Sequence, residues 1–316
     1  MLGRLAACGK CTKEGERQWY ECRSRTNGKA GHVQTIAAVT GTRIERIGSE
    51  RADLPGIRRL EWHERPSPDG RFPRLPLPDV VLTFNLGVRG RYRVHSAQMW
   101  HPYPRTALRG ICSMPSEGVD PDSGWIGYVS VLIAPWAVPC YFSMDASGLA
   151  DRIANAELRL PALGTLFTGL AIDHVADERL RRVDEWLIAR FRATSQSLPA
   201  QQVVELLRSG TSIHETARCM SLSVRRIHQV CRATTGQSPR TYAQVARFAK
   251  LAESLNASIV DDHWAHFVGD YADHSHAIRQ FRRHAGLTPR EYQQRQGTTR
   301  RAFSMVADWN GEASTA

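Results

Sequence analysis

Nowhere in the 316 residues does an apolar run approach membrane-spanning length, and the N-terminus lacks the hydrophobic region of a secretory leader. No membrane association is therefore expected, and the cytoplasm is the expected compartment. Signatures of common catalytic classes are missing too. There is no Gly-x-Ser-x-Gly, no phosphate loop, no His-Glu-x2-His and no facial-triad spacing. Neither an enzyme nor a cofactor is expected. Paired cysteines are also lacking: the seven are odd in number and unevenly placed, which suits reduced thiols. Cys8-x2-Cys11 followed by Cys22 begins a zinc spacing, but no second Cys-x2-Cys follows, and a fourth ligand would be His32 or something remote. Three thiols in a tail without regular structure are the expectation.

What is present is positive charge, unevenly distributed. Residues 1–60 carry twelve Lys/Arg against six Asp/Glu, whereas residues 61–197 carry fifteen of each. Residues 198–301 carry fifteen against eight, and the last fifteen residues are net −2. A neutral middle beside a basic C-terminal part is the pattern expected when one part of a chain meets a polyanion.

The sharpest local signal lies in that basic part, from Asp273 to Pro289. Asp273 is a good N-cap, because its carboxylate can accept from the free amides of a first helical turn. Ala277, Phe281 and Ala285 recur at i, i+4, i+8, which places one small apolar stripe on one face. Arg279, Arg282 and Arg283 fall off that stripe, with His274, Ser275 and His276 at the start. Gly286 ends the helix and Pro289 prevents its continuation. A short helix that buries one face and offers Arg, His and Ser from the other has the form of a major-groove reader.

The pattern occurs once before. Ser223 precedes Val224 to Thr235, and Gly236-Gln-Ser-Pro239 stops it. Aligning Ser238-Pro239 with Thr288-Pro289 sets Gly236 on Gly286, Arg232 on Arg282, Cys231 on Phe281, Gln229 on Arg279 and Ile227 on Ala277. Two helix-turn-helix units roughly fifty residues apart follow. The runs Ser-x3-Ile-x3-Cys-Arg-x3-Gly-x-Ser-Pro and Tyr271-x-Asp-x-Ser-His-x2-Arg279-x-Phe281-x4-Gly-x-Thr-Pro-x2-Tyr292 resemble the AraC/XylS family of bacterial transcription regulators over about residues 199–296. Two departures stand out. Cys231 occupies a position usually held by Phe. In the second unit, either His266 and Asp270 replace the usual Ala and Gly, or Ala265 and Gly269 serve with one residue inserted; substitution disturbs the helix angle less.

Residues 58–145 read as short strands separated by turns. Leu60 to His63, Val80 to Leu86, Arg91 to Val94 and Ile126 to Ile133 are rich in β-branched and aromatic residues. The run Leu77-Pro-Asp-Val-Val-Leu-Thr-Phe-Asn-Leu86 resembles the first strands of the cupin-like sensor half of some family members. Three helices are expected over Ala146–Asn155, Leu160–Val175 and Glu178–Arg192. In the last, Leu180, Val183, Leu187, Ile188 and Phe191 form a stripe that serves either a dimer, as the resemblance implies, or packing on the strands. Ala193 to Pro199 reads as a linker.

Within the DNA-binding half, helices are expected over Gln201–Ser209, Ile213–Met220, Val224–Thr234, Tyr242–Leu255 and Asp262–Gly269. The fold class expected is α+β. A basic extension without regular structure (1–57) precedes a β-rich, cupin-like sensor with trailing helices (58–194). An all-α double helix-turn-helix domain (195–297) and a tail (298–316) follow. The function implied is a sequence-specific transcription regulator; the alternative is a sensor or partner-binding protein that has lost specific DNA binding. Candidate DNA contacts are Arg225, His228, Gln229 and Arg232 in the first reader, and His274, Ser275, Arg279, Arg282 and Arg283 in the second. Partners implied are double-stranded promoter DNA, RNA polymerase if the chain activates, a small-molecule effector and a second copy of the chain. A metal at His263, His266, His274, His276 and His284 is not expected. The last three fit DNA contact or solvent exposure better.

Overall fold

The computed structural model describes residues 33–39, 42–47, 54–66, 70–94, 99–193, 197–257 and 273–299. Among the described residues are eleven strands. They are β1 (Val33–Val39), β2 (Thr42–Ile47), β3 (Ile57–Pro66), β4 (Gly70–Arg74), β5 (Val80–Asn85), β6 (Arg91–Val94), β7 (His101–Pro102), β8 (Thr106–Arg109), β9 (Ser116–Asp120), β10 (Trp125–Ile133) and β11 (Ile153–Asn155). They build two antiparallel sheets, ordered β1-β2-β3-β10-β5-β8-β11 and β4-β9-β6-β7. The four strand runs expected from composition appear as β3, β5, β6 and β10. Val80, Leu82 and Phe84 on β5 and Val129 and Val131 on β10 are buried in one cluster, while Val81 and Leu132, on the opposite face, are buried in another.

Two expectations need correction here. The hairpin β1–β2 lies inside the stretch expected to lack regular structure, and β2 pairs with β3, Ile47 opposite Leu60. Cys8, Cys11 and Cys22 lie outside the described residues. Ala146–Asn155 is not a helix: a single 3-10 turn over Ala146–Leu149 is followed by Asp151 at φ 55° and then by β11, which pairs with β8. The left-handed residue breaks the helix, and the ladder to β8 supplies the backbone partners a helix would have supplied.

The helices are α1 (Val138–Phe142), α2 (Ala162–Ile172), α3 (Ala176–Arg190), α4 (Ser197–Ser209), α5 (Ile213–Cys219), α6 (Val224–Thr235), α7 (Pro239–Ala257), α8 (His274–Ala285) and α9 (Pro289–Thr299). On α3, Leu180, Val183 and Leu187 are fully buried, and the helix packs on β2, β3 and α1. That stripe is consumed by packing within the chain, and Ile188 stays exposed beside it. The stretch read as a linker already belongs partly to α4, with Pro199 in the first turn, where its missing N–H costs no helical bond. The helix expected over Asp262–Gly269, and with it His263, His266 and Asp270, lies outside the described residues.

The helical half does not stand apart from the sheets. One apolar cluster runs from Leu60, Trp62 and Ile133 through Trp136 to Val203, Leu207, Ile227 and Tyr242. A second joins Leu75, Leu77, Val81 and Leu132 of the β-rich half to Phe248, Phe281 and Tyr292. Polar groups lock the same seam. Arg208 on α4 donates to both oxygens of Asp79 at 2.6 and 3.2 Å, with the Asp79 side chain fully buried. Glu205, one turn earlier, accepts from Arg58 on β3 and from Trp136 Nε1 at 2.9 Å.

Removing one partner of a buried, bidentate ion pair strands the other charge in a low-dielectric setting. Asp79→Ala should therefore cost about 3–5 kcal/mol of unfolding free energy. Urea denaturation of the full chain checks this; a loss below about 1 kcal/mol, the range of exposed pairs, would show that the seam admits water.

Candidate nucleic-acid interface

The helices α6 and α8 are built alike. Ser223 Oγ accepts from the Arg226 amide at 3.2 Å, and Asp273 Oδ1 accepts from the His276 amide at 2.6 Å. Each cap satisfies an amide that the first turn leaves without a helical partner. At the other end Gly236 and Gly286 adopt left-handed φ of 72° and 73°, each donating its N–H back to Arg232 O and Arg282 O at 2.9 Å. The buried stripes also correspond, Ile227, Cys231 and Thr235 in one and Ala277, Phe281 and Ala285 in the other.

Cys231 fills its place with less volume than a phenyl ring, and neighbouring polar groups complete the packing. Its Sγ lies 3.7 Å from Thr235 Oγ1 and 3.6 Å from Gln237 O. Burial pushes the thiol up to about 11, so it stays protonated. Phe281 sits between Phe248 and Tyr292, with ring centroids at 5.2 and 5.5 Å. The joining helix α7 buries Tyr242, Val245, Ala249 and Ala252, the side read from the sequence.

Every candidate contact residue is exposed: Arg225, His228, Gln229 and Arg232 on α6, and His274, Ser275, Arg279, Arg282 and Arg283 on α8. In the first helix they fall at i, i+3, i+4 and i+7, so they share one face. Arg226 Nη1 donates to Gln229 Oε1 at 3.3 Å and restrains that amide at the surface. Ser275, Arg279 and Arg282 occupy the equivalent face of α8, with His274 at its first position and Arg283 one turn beyond Arg279. Each helix carries three Arg and no Asp or Glu. Two carboxylate-free cationic faces, each on a capped helix, can hold phosphates and reach base edges.

His284 is not among these outward groups, contrary to the expectation of DNA contact or exposure. It is 2% exposed, packs on Phe248 at 5.2 Å and donates through Nδ1 to Ser113 O at 3.0 Å. Burial holds the imidazole below its ordinary pKa, which favours the neutral form. Gln237, just past the first helix, is likewise buried against the β-rich half. The sequence signals only a helix stop there.

Residues 216–295, from α5 into α9, match a family model described as a helix-turn-helix domain. This segment is an AraC-type helix-turn-helix domain. None of the curated proteins compared is similar in sequence to the chain. Among solved structures, ToxT of Vibrio cholerae matches at 11% identity and TM-score 0.44, over 74% of this chain and 97% of that one. Wild-type ToxT bound to an unsaturated fatty acid matches at 10% identity and TM-score 0.43, over 74% and 94%. The AraC-like transcriptional activator CuxR matches at 14% and 0.30, over 68% and 84%. Likeness of this degree assigns no residue a role.

Between the two sheets of the β-rich half is a cavity of about 90 Å3 lined by Arg74, Tyr103, Arg109, Asp120 and Tyr128. Arg74 lies over the Tyr103 ring at 4.6 Å, and burial pushes that phenol up to about 12. By the same measure of cavity volume one water needs only about 10–15 Å3, so the space holds more than a single water.

Two substitutions in α8 separate reading from support. Arg279→Ala should weaken DNA binding by about 1–3 kcal/mol and relax preference at one base position. A uniform loss across sequences would assign it to phosphate instead. Phe281→Ala should lower stability by about 3–5 kcal/mol and remove binding through unfolding; unchanged melting with poor binding would show that the ring is not structural.

Proposed function

We propose that the chain is a one-component transcription regulator whose α6 and α8 enter promoter DNA while the β-rich half sets their state. One observation carries this reading most: two helices with equivalent caps, equivalently placed buried stripes, and outer faces that each carry three Arg and no carboxylate. One such helix is common on protein surfaces, but two with corresponding caps, buried positions and stops, and three Arg each, call for a repeated ligand. Duplex DNA offers that repeat, since successive major grooves recur roughly every 34 Å on one face. In this reading Arg279 and one or two of Arg225, His228 and Gln229 meet base edges, and the remaining candidates hold phosphates.

The shared core makes the β-rich half a mechanical partner of the readers. A ligand there changes DNA binding only by favouring one arrangement of the seam over another. The effector belongs in the inter-sheet cavity, as a small molecule. The ToxT structure with an unsaturated fatty acid supports the idea of an effector for this chain without naming it. The reading places the protein in the cytoplasm, includes a homodimer and, for an activator, RNA polymerase, and involves no catalytic step.

Neutralising phosphates releases counterions, so affinity for duplex DNA should fall linearly on log–log axes as salt rises, with a slope of about −0.9 per phosphate contact. Titration of the full chain against its own upstream DNA, at several salt concentrations, measures this. A slope near zero, or no binding at low salt, would leave a sensor or partner-binding protein without specific DNA binding.

A further inference from the structure

Both reader helices end on the same small part of the β-rich half. The strands β8 and β11 pair through Arg109 and Ile153, and their continuations stay tied. Gly110 N donates to Arg152 O at 3.0 Å, and Asp151 N donates to Ile111 O at 2.9 Å. The approach is too close for a side chain at residue 110, where a Cβ would meet Leu149 O at 2.0 Å. The left-handed backbone at Asp151 aims its carboxylate across the turn, where Oδ1 accepts from Ser113 N at 2.6 Å and from Ser113 Oγ at 3.1 Å.

The first reader reaches this turn through its C-cap. Gln237 Nε2 donates to Asp151 Oδ2 at 2.9 Å. A Cβ at Gly236 would lie 2.5 Å from Ala150 Cβ and 2.7 Å from Ser147 O, so that glycine is required by space as well as by its φ. The second reader reaches the same turn through His284 and Ser113 O. The result is a polar chain, Gln237–Asp151–Ser113–His284, that runs from the end of one reader to the end of the other through the β-rich half.

We infer that this chain is a positioning clamp, which fixes the separation and angle of the two readers and so the spacing of the DNA sites they accept together. The inference rests on α6 and α8 both reading DNA. Without this chain of hydrogen bonds, α8 is tied to the first unit by chain continuity through α7 and by apolar contacts such as Phe248 with Phe281. Apolar contacts are non-directional. Hydrogen bonds with defined donors and acceptors add the angular constraint that a fixed spacing needs. The clamp also makes spacing tolerance a property of the β-rich half, because Arg109 and Ile153, at the root of the turn, line the inter-sheet cavity.

The test uses the full chain and duplexes it selects from a random pool, with one or two base pairs then inserted between the two protected segments. Wild type should prefer the selected spacing by about tenfold or more. Gln237→Glu sets a second carboxylate against Asp151 and should reduce that preference to about twofold, while affinity for a duplex keeping one segment stays within about twofold. Adding Asp151→Asn restores a donor to face Glu, keeps an acceptor for Ser113, and should return the preference. Should Gln237→Glu fold poorly, His284→Phe keeps the packing on Phe248, breaks the link at the other end and should show the same loss. Unchanged spacing preference in folded single variants, or no recovery in the double variant, overturns the clamp alone. A wild-type footprint over a single groove overturns the two-reader reading, and the clamp with it.

Discussion

Burial of α4, α7 and α8 against the sheets is the constraint from which the remaining geometry follows. Val203, Leu207 and Tyr242 complete a core begun by Leu60, Trp62 and Ile133, while Phe248, Phe281 and Tyr292 cover Leu75, Leu77 and Val81. Separating the halves would expose both clusters to water, at roughly 25 cal/mol for each Å2 of apolar surface uncovered. It would also leave Asp79, Arg208, Gln237 and His284 without the partners that offset their desolvation. These helices are therefore held by a seam whose apolar part supplies the strength and whose polar part adds directional contacts.

With their inner faces committed, α6 and α8 have only their outer faces left for a partner. Those faces are arginine-rich and free of carboxylates, so they repel cations and favour polyanions over a considerable distance at low salt. Guanidinium groups suit both tasks DNA sets, since the planar fork matches phosphate oxygens and the O6/N7 edge of guanine. The exposed histidines and Gln229 add groups able to donate or accept, which arginine alone cannot do.

The parts legible in the sequence were those written in local chemistry. Ser223 and Asp273 with Gly236 and Gly286 bracket α6 and α8, and the i, i+4, i+8 stripe alone places Phe281 in a core. The β-branched and aromatic composition of β5 and β10 is equally local. What escaped was non-local. Ala146–Asn155 has helix-forming composition, but its last residues pair with β8 more than forty positions earlier. The hairpin β1–β2 sits in a stretch read by its charge and glycine content, and its pairing to β3 is set across the sheet. His284 looked like one more polar group on a polar helix, because its acceptor, Ser113, lies 171 residues away. Ser197 to Pro199 read as a linker because nothing local announces that α4 docks on the sheets.

Hydroxyl-radical footprinting of the full chain on duplex DNA it has selected addresses the central claim most directly. Two protected windows about one helical turn apart, on one face of the duplex, are what two matched readers on one seam produce. A single window, or protection continuous around the duplex, would contradict the assignment of both helices to DNA.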